Sequence, residues 1–274
     1  MHDTTLKLFF VWRHFLAEDD KTSSLRCFHI IEMKRGFFPQ QSRMATKRRT
    51  SENPLPEGEP HACGLSSLRV FLLSPANASA IRGRLLLNPN STFDLAQRIR
   101  SQGAPVGELF SFISSLYFRG KLAYAKAFSN SLPGFSSILV MTSSRGLVPP
   151  ETMVTLEDLQ EMSSVPIDAA EARYRDPLCR DARALARSLP PGSKIVLLGS
   201  IASSKYVDPL LESFGEDLLF PQAFVGRGDM SRGGLMLRCV QERAELDYVP
   251  VVKAVRHGAR PAKLAPVRKP ALIL

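Results

Sequence analysis

Three short apolar runs divide this chain, and each closes on small polar residues. They are RVFLLSPA from Arg69, SSILVMTS from Ser136 and SKIVLLGSI from Ser193. Runs of this length without polar alternation are the pattern of strands covered on both faces. The segments between them carry helical spacing. STFDLAQRIRSQG predicts a helix capped by Ser91 or Thr92 and stopped by Gly103. Leu109, Phe110, Ile113, Leu116, Tyr117, Leu122, Ala123, Ala127 and Phe128 predict a long helix over 106–130, with Gly120 as the place where it kinks. A helix is expected to open at Thr155. Another spans 168–189, capped by Asp168 and split in two by Pro177. SSKYVDPLLESF reads as a helix ended by Gly215. GLMLRCVQERAELDYVPV, two apolar runs around Gln-Glu-Arg, reads as a β-hairpin. Strands separated by helices return by right-handed crossovers. The expected fold class is therefore α/β: a three-layer domain with a mainly parallel central sheet, a C-terminal β-hairpin and disordered ends.

The domain is bounded at 67–252. Residues 1–66 hold the single tryptophan, Trp12, and four of the five histidines, without sustained apolar periodicity. LKLFFVW is broken by Arg13 and His14 and followed by AEDDK, unlike a secretory signal. MATKRRTSENPLPEGEP reads as a protein start at Met44, with the preceding residues as a mis-assigned extension. At the other end, residues 253–274 carry six Lys and Arg and no acid. That basic excess makes up most of the formal net charge of +10. Proline-rich and with little to bury, the tail reads as disordered, or as a tether that would bind phosphates without sequence choice. With no run of 18 apolar residues, no membrane span is expected, and the expected location is cytoplasmic.

The domain contains no histidine, which removes Ser-His-Asp and Cys-His catalysis and a histidine metal site from it. Cys179 and Cys239 are sixty residues apart, with no Cys-x-x-Cys, so no metal is expected. GxGxxG and GxxxxGK[ST] are absent, and no cofactor is expected. In open α/β sheets ligands bind beyond the carboxyl ends of strands. Three polar turns qualify: Ser74 and Asn77; Ser143, Ser144, Arg145 and Gly146; Gly199, Ser200, Lys205 and Tyr206. Hydroxyls and glycine amides with a nearby Arg or Lys suit an anion. GRGDMSRGG, from Gly226, reads as a permissive loop folding over these turns. In it Arg227 and Arg232 would clamp phosphate, and Asp229 would orient an arginine. Without histidine, acid–base work would fall to Asp229, Glu151 or Lys205.

Three segments, SSLYFRGKLAYAKAF, ILVMTSSRGLVPPETMV and KIVLLGSIASSKYVDPLL, occur in an order that resembles a bacterial domain family loosely similar to the peroxide-stress protein YaaA. Leu116, Tyr117, Phe118, Lys121, Tyr124 and Ala125 match the first motif of that family. Ser144, Gly146, Leu147 and Pro150 match the second, with Ser-Ser where Ser-Ala is usual. Gly199 and Tyr206 match the third. The tyrosine usual soon after the second motif is met only at Tyr174. The resemblance spans roughly 68–220. It implies an α/β fold, a link to nucleotides or nucleic acid, and Tyr117 as a binding residue, without assigning a reaction.

The expected function is a polar, anion-binding cleft that binds or acts on a nucleotide or nucleic acid. The partner would be a small phosphorylated ligand or a nucleic acid. The alternative is a non-catalytic nucleic-acid-binding or protein-interaction domain. A domain with 20 Lys and Arg against 18 Asp and Glu has little excess for a duplex-binding face, which favours the small ligand.

Overall fold

The computed structural model describes residues 68–130 and 135–264. The expected extension, the start at Met44 and the last ten residues of the tail lie outside them.

Four parallel strands form the centre: β1 (Arg69–Leu73), β3 (Ile138–Met141), β6 (Lys194–Leu198) and β7 (Leu218–Pro221). Two antiparallel strands flank them, β4 (Leu147–Val148) and β8 (Tyr248–Pro250), giving the order β4-β3-β1-β6-β7-β8. A separate antiparallel pair joins β2 (Ala104–Pro105) to β5 (Met153–Val154). Seven helices complete the described domain: α1 (Ile81–Leu87), α2 (Asp94–Ser101), α3 (Val106–Phe128), α4 (Leu156–Ser164), α5 (Ala172–Ser188), α6 (Ser204–Phe214) and α7 (Asp229–Glu242). Helix α3 packs against α7, and α5 against α6. Right-handed crossovers place these two pairs on opposite faces of the sheet, making three layers. The three strands expected from sequence are present and buried, as their uninterrupted apolar runs require: Phe71, Leu72, Val140, Val196 and Leu197 are all sealed from solvent.

The chain passes from β1 to β3 on one side, then crosses β1 to reach β6 on the other. The connections leaving β1 and β3 therefore run over opposite faces, and the switch point of the topology falls between the carboxyl ends of β1 and β6. Ligands in open α/β sheets occupy such a switch point.

Several expectations need correction. The segment 234–251 is not a hairpin. Residues up to Glu242 belong to α7, and only Tyr248–Pro250 form a strand, paired with β7. Arg232, Gly233, Met236 and Cys239 recur at helical spacing and are buried, so the apolar runs were one helical stripe. Helix α5 is continuous through Pro177, which lies within its first turns, and its cap is Glu171, whose carboxylate accepts the Arg173 amide at 3.2 Å. Asp168 instead closes a local turn on the Ala170 amide. Strand β7, a four-residue run that follows Gly-Glu-Asp and ends on Pro221, was not expected from sequence. Thr155 caps α4 as expected, in a reciprocal box with Asp158.

The long helix α3 breaks at Ser115 (φ 49°, ψ −125°) and not at Gly120. Gly120 has another task. A Cβ there would lie 2.7 Å from the Gly233 carbonyl oxygen of α7, and one on Gly233 would lie 2.6 Å from that of Leu116. The two backbones touch through paired glycines. Gly120→Ala and Gly233→Ala should each lower stability by about 1–3 kcal/mol through overpacking, despite alanine's better helix propensity. Gly234→Ala meets only Leu264 at 3.6 Å and should raise it by about 0.5–1 kcal/mol. Urea midpoints of the three variants check the contrast.

Candidate functional site

Strands β1 and β6 run in register to Leu73 and Leu198, and the Ser74 amide extends the pairing by donating to the Leu198 carbonyl at 3.1 Å. Two polar turns thus leave the sheet side by side. A Cβ on Gly199 would lie 2.9 Å from the Ser74 Cβ and 3.1 Å from the Tyr206 hydroxyl. Only glycine lets those two groups approach. Tyr206, in the first turn of α6, accepts the Ser200 amide at 2.8 Å.

Lys121 reaches the same point from α3, beyond the break at Ser115. Its Nζ donates to the Ser74 carbonyl at 2.6 Å and lies 2.9 Å from Ser74 Oγ. It also sits over the Tyr117 and Phe118 rings, 4.4 and 4.8 Å from their centroids. Lys121 is 1% exposed. Burial pulls its pKa down to about 7; Asp229 opposes the shift and Arg232 adds to it. Arg232 is itself buried in α7, with Nε donating to the Phe224 carbonyl at 3.2 Å and its guanidinium 3.5 Å from Asp229. The Tyr117 hydroxyl is buried without a hydrogen-bond partner. Burial drives its pKa up, while the positive charge of Arg232 opposes that. Tyr174 of α5 is also buried with an unpartnered hydroxyl, and its pKa is raised by burial and by Tyr206. Two buried cations thus face one carboxylate, Asp229, whose side chain is 67% exposed.

The structure gathers Ser74, Tyr117, Gly199, Ser200, Tyr206, Asp229 and Arg232 from the residues expected from sequence. Lys205 lies at the margin, its Nζ 5.8 Å from the Tyr206 ring centroid. The others are occupied elsewhere. Asn77 accepts the Ser79 amide and hydroxyl in a local turn. Ser143 donates to the Met162 carbonyl at 2.6 Å. Gly146 (φ 64°) leaves room for Asp181, whose carboxylate accepts the Leu147 amide. Ser144 is buried with its hydroxyl unpartnered. Glu151 is exposed between β4 and β5.

Two expected cations are corrected. Arg145 pairs with Asp158 and lies 3.9 Å from Glu161, so its charge is already met. Arg227 donates to the Ala223 carbonyl, Ser231 and the Ala262 carbonyl, which ties the segment at Ala262 to the start of α7 and leaves its guanidinium already partnered. GRGDMSRGG is not a loop over the strand ends either, because its last six residues begin α7.

Lys121 was matched to a motif but given no role. Its signal was position: Ile113, Tyr117, Lys121 and Tyr124 fall on one helical stripe, where a lone cation among apolar residues must be buried. Surface cavities of about 410 Å³ along α5 and α6, and about 190 Å³ beside 189–193, share no residue with the cluster. Among the described residues no group of His, Cys, Asp or Glu could hold a metal ion, and no helix is long and apolar enough to cross a membrane. No protein-family model, curated protein or solved structure matches the chain.

Between pH 7 and 10.5 the unfolded chain holds a proton at Lys121 that the folded one has lost. Folding stability must therefore rise with pH across that window and be lowest below it. Lys121→Met should remove this rise. Wild type should gain on the variant between pH 7 and 10 in urea unfolding series.

Proposed function

We propose that the domain binds a small phosphorylated ligand of the nucleotide class at the carboxyl ends of β1 and β6. The observation that carries this reading is the pair of buried cations, Lys121 and Arg232, at the switch point with only Asp229 against them. Buried charges are costly unless paired, and an anion would supply the missing partner. Arg232 presents a planar fork suited to phosphate, and Lys121 a point charge. The unpartnered hydroxyls of Tyr117 and Tyr174 are donors for further ligand oxygens. The near balance of charge across the domain supports a small ligand over a polymer. The resemblance to the YaaA-like family points to the same ligand class.

An anion favours the charged form of Lys121, so binding takes up a proton when the pH lies above about 7. Calorimetric titration with orthophosphate and AMP should give tighter binding at pH 6 than at pH 8. The heat at pH 8 should depend on the ionisation enthalpy of the buffer. Both ligands should raise the melting temperature, and Arg232→Ala should weaken binding about tenfold or more, the loss expected when one charge-assisted contact goes. Absence of heat and of a melting shift at both pH values would overturn the proposal.

A further inference from the structure

The contact between Lys121 and Ser74 carries a chemical consequence that phosphate binding does not use. We propose that Ser74 is a nucleophile toward carboxylic esters and that Lys121 is the base that takes its proton. Nζ meets two oxygens of one residue. The carbonyl can only accept, so it takes one N–H and fixes the amine. Oγ lies 2.9 Å from Nζ and accepts from the ammonium; once the amine is neutral, the same short contact lets Oγ donate to its lone pair. Nucleophile and base within hydrogen-bond reach, with the base oriented by a third group, is the arrangement that activates serine, and lysine serves as its base on several folds.

Burial is the main force that favours the neutral amine, and Arg232 of α7 adds to it by repelling a positive charge. The Tyr117 and Phe118 ring faces, the Ser74 carbonyl and Asp229 of α7 favour the ammonium, but the Asp229 carboxylate is largely in solvent and desolvation outweighs them. A pKa near 7 leaves a large fraction of Lys121 free to accept a proton at neutral pH.

The step balances within the chain, the ester and water. Ser74 Oγ bonds to the carbonyl carbon, its proton passes to Lys121 Nζ, and the π electrons move to the carbonyl oxygen. The partnerless Tyr117 hydroxyl is a buried donor available to that oxyanion. On collapse the ester C–O bond breaks and the alcohol leaves with the proton from Lys121. Neutral Lys121 then deprotonates water, which attacks the acyl carbon. The acyl–Oγ bond breaks and Ser74 regains its proton. A phosphate beside Lys121 would hold it protonated, so the dyad suits an uncharged ester and the two ligands compete.

An uncharged alkyl fluorophosphonate ester, applied to the full chain, reads the nucleophile without knowledge of the substrate. Oγ bonds to phosphorus, fluoride leaves and the proton goes to Lys121. Intact mass and peptide mass spectrometry should place one adduct on Ser74, at a rate that rises through about pH 7. Lys121→Met should slow labelling about 100-fold or more, the usual loss with a general base, and Ser74→Ala should abolish it. Should either variant fail to fold, the wild-type pH profile decides. No adduct on Ser74 between pH 6 and 9, an adduct on another serine only, or a pH-independent rate overturns the proposal. Orthophosphate should slow labelling. Labelling that phosphate leaves unchanged supports the dyad and counts against the phosphate site. Phosphate binding without labelling overturns the dyad alone.

Discussion

The site exists because two helix backbones touch. Gly120 and Gly233 remove the side chains that would hold α3 and α7 apart. A residue next to each glycine is then brought within electrostatic reach of the other: Lys121 follows Gly120, and Arg232 precedes Gly233. A wider separation would leave each cation with its own water. At backbone contact both are buried, and each raises the cost of the other's charge. The paired glycines therefore act on function through electrostatics as much as through packing, and a bulkier residue would relax the field that depresses Lys121.

A second constraint works from the sheet side. β1 and β6 are adjacent and in register, so Ser74 and Gly199 leave the sheet together. Gly199 admits Tyr206 over Ser74, and the Ser200 amide holds the Tyr206 hydroxyl. Tyr206 and Ser200 are thereby fixed by neighbours that carry no charge. Lys121, its pKa pulled down to about 7, is the member of this cluster whose protonation varies near neutral pH.

Three of the four central strands, and the edge where their polar turns leave the sheet, were legible in the sequence because strands buried on both faces read as uninterrupted apolar runs. Ser74, Gly199 and Tyr206 followed from that edge. Arg145 and Arg227 misled because a cation beside a turn looks the same whether it faces a ligand, Asp158 or a backbone carbonyl; only the fold tells them apart. The hairpin over 234–251 misled for a related reason. The Gly-Gly at 233–234 signals a loop when read locally, yet Gly233 is there to admit another helix. Ser115 broke α3 without any of the usual breakers, so its positive φ had no signal in the residue type.

The two flanking strands have a consequence for how this protein meets others. β4 runs directly into Pro149 and Pro150, and β8 ends on Pro250. Proline offers no amide to a further strand, and both edges are only two or three residues long. The sheet is closed to growth at each side. Association by strand addition at these two edges, whether with another copy or with an extended peptide, is thereby disfavoured.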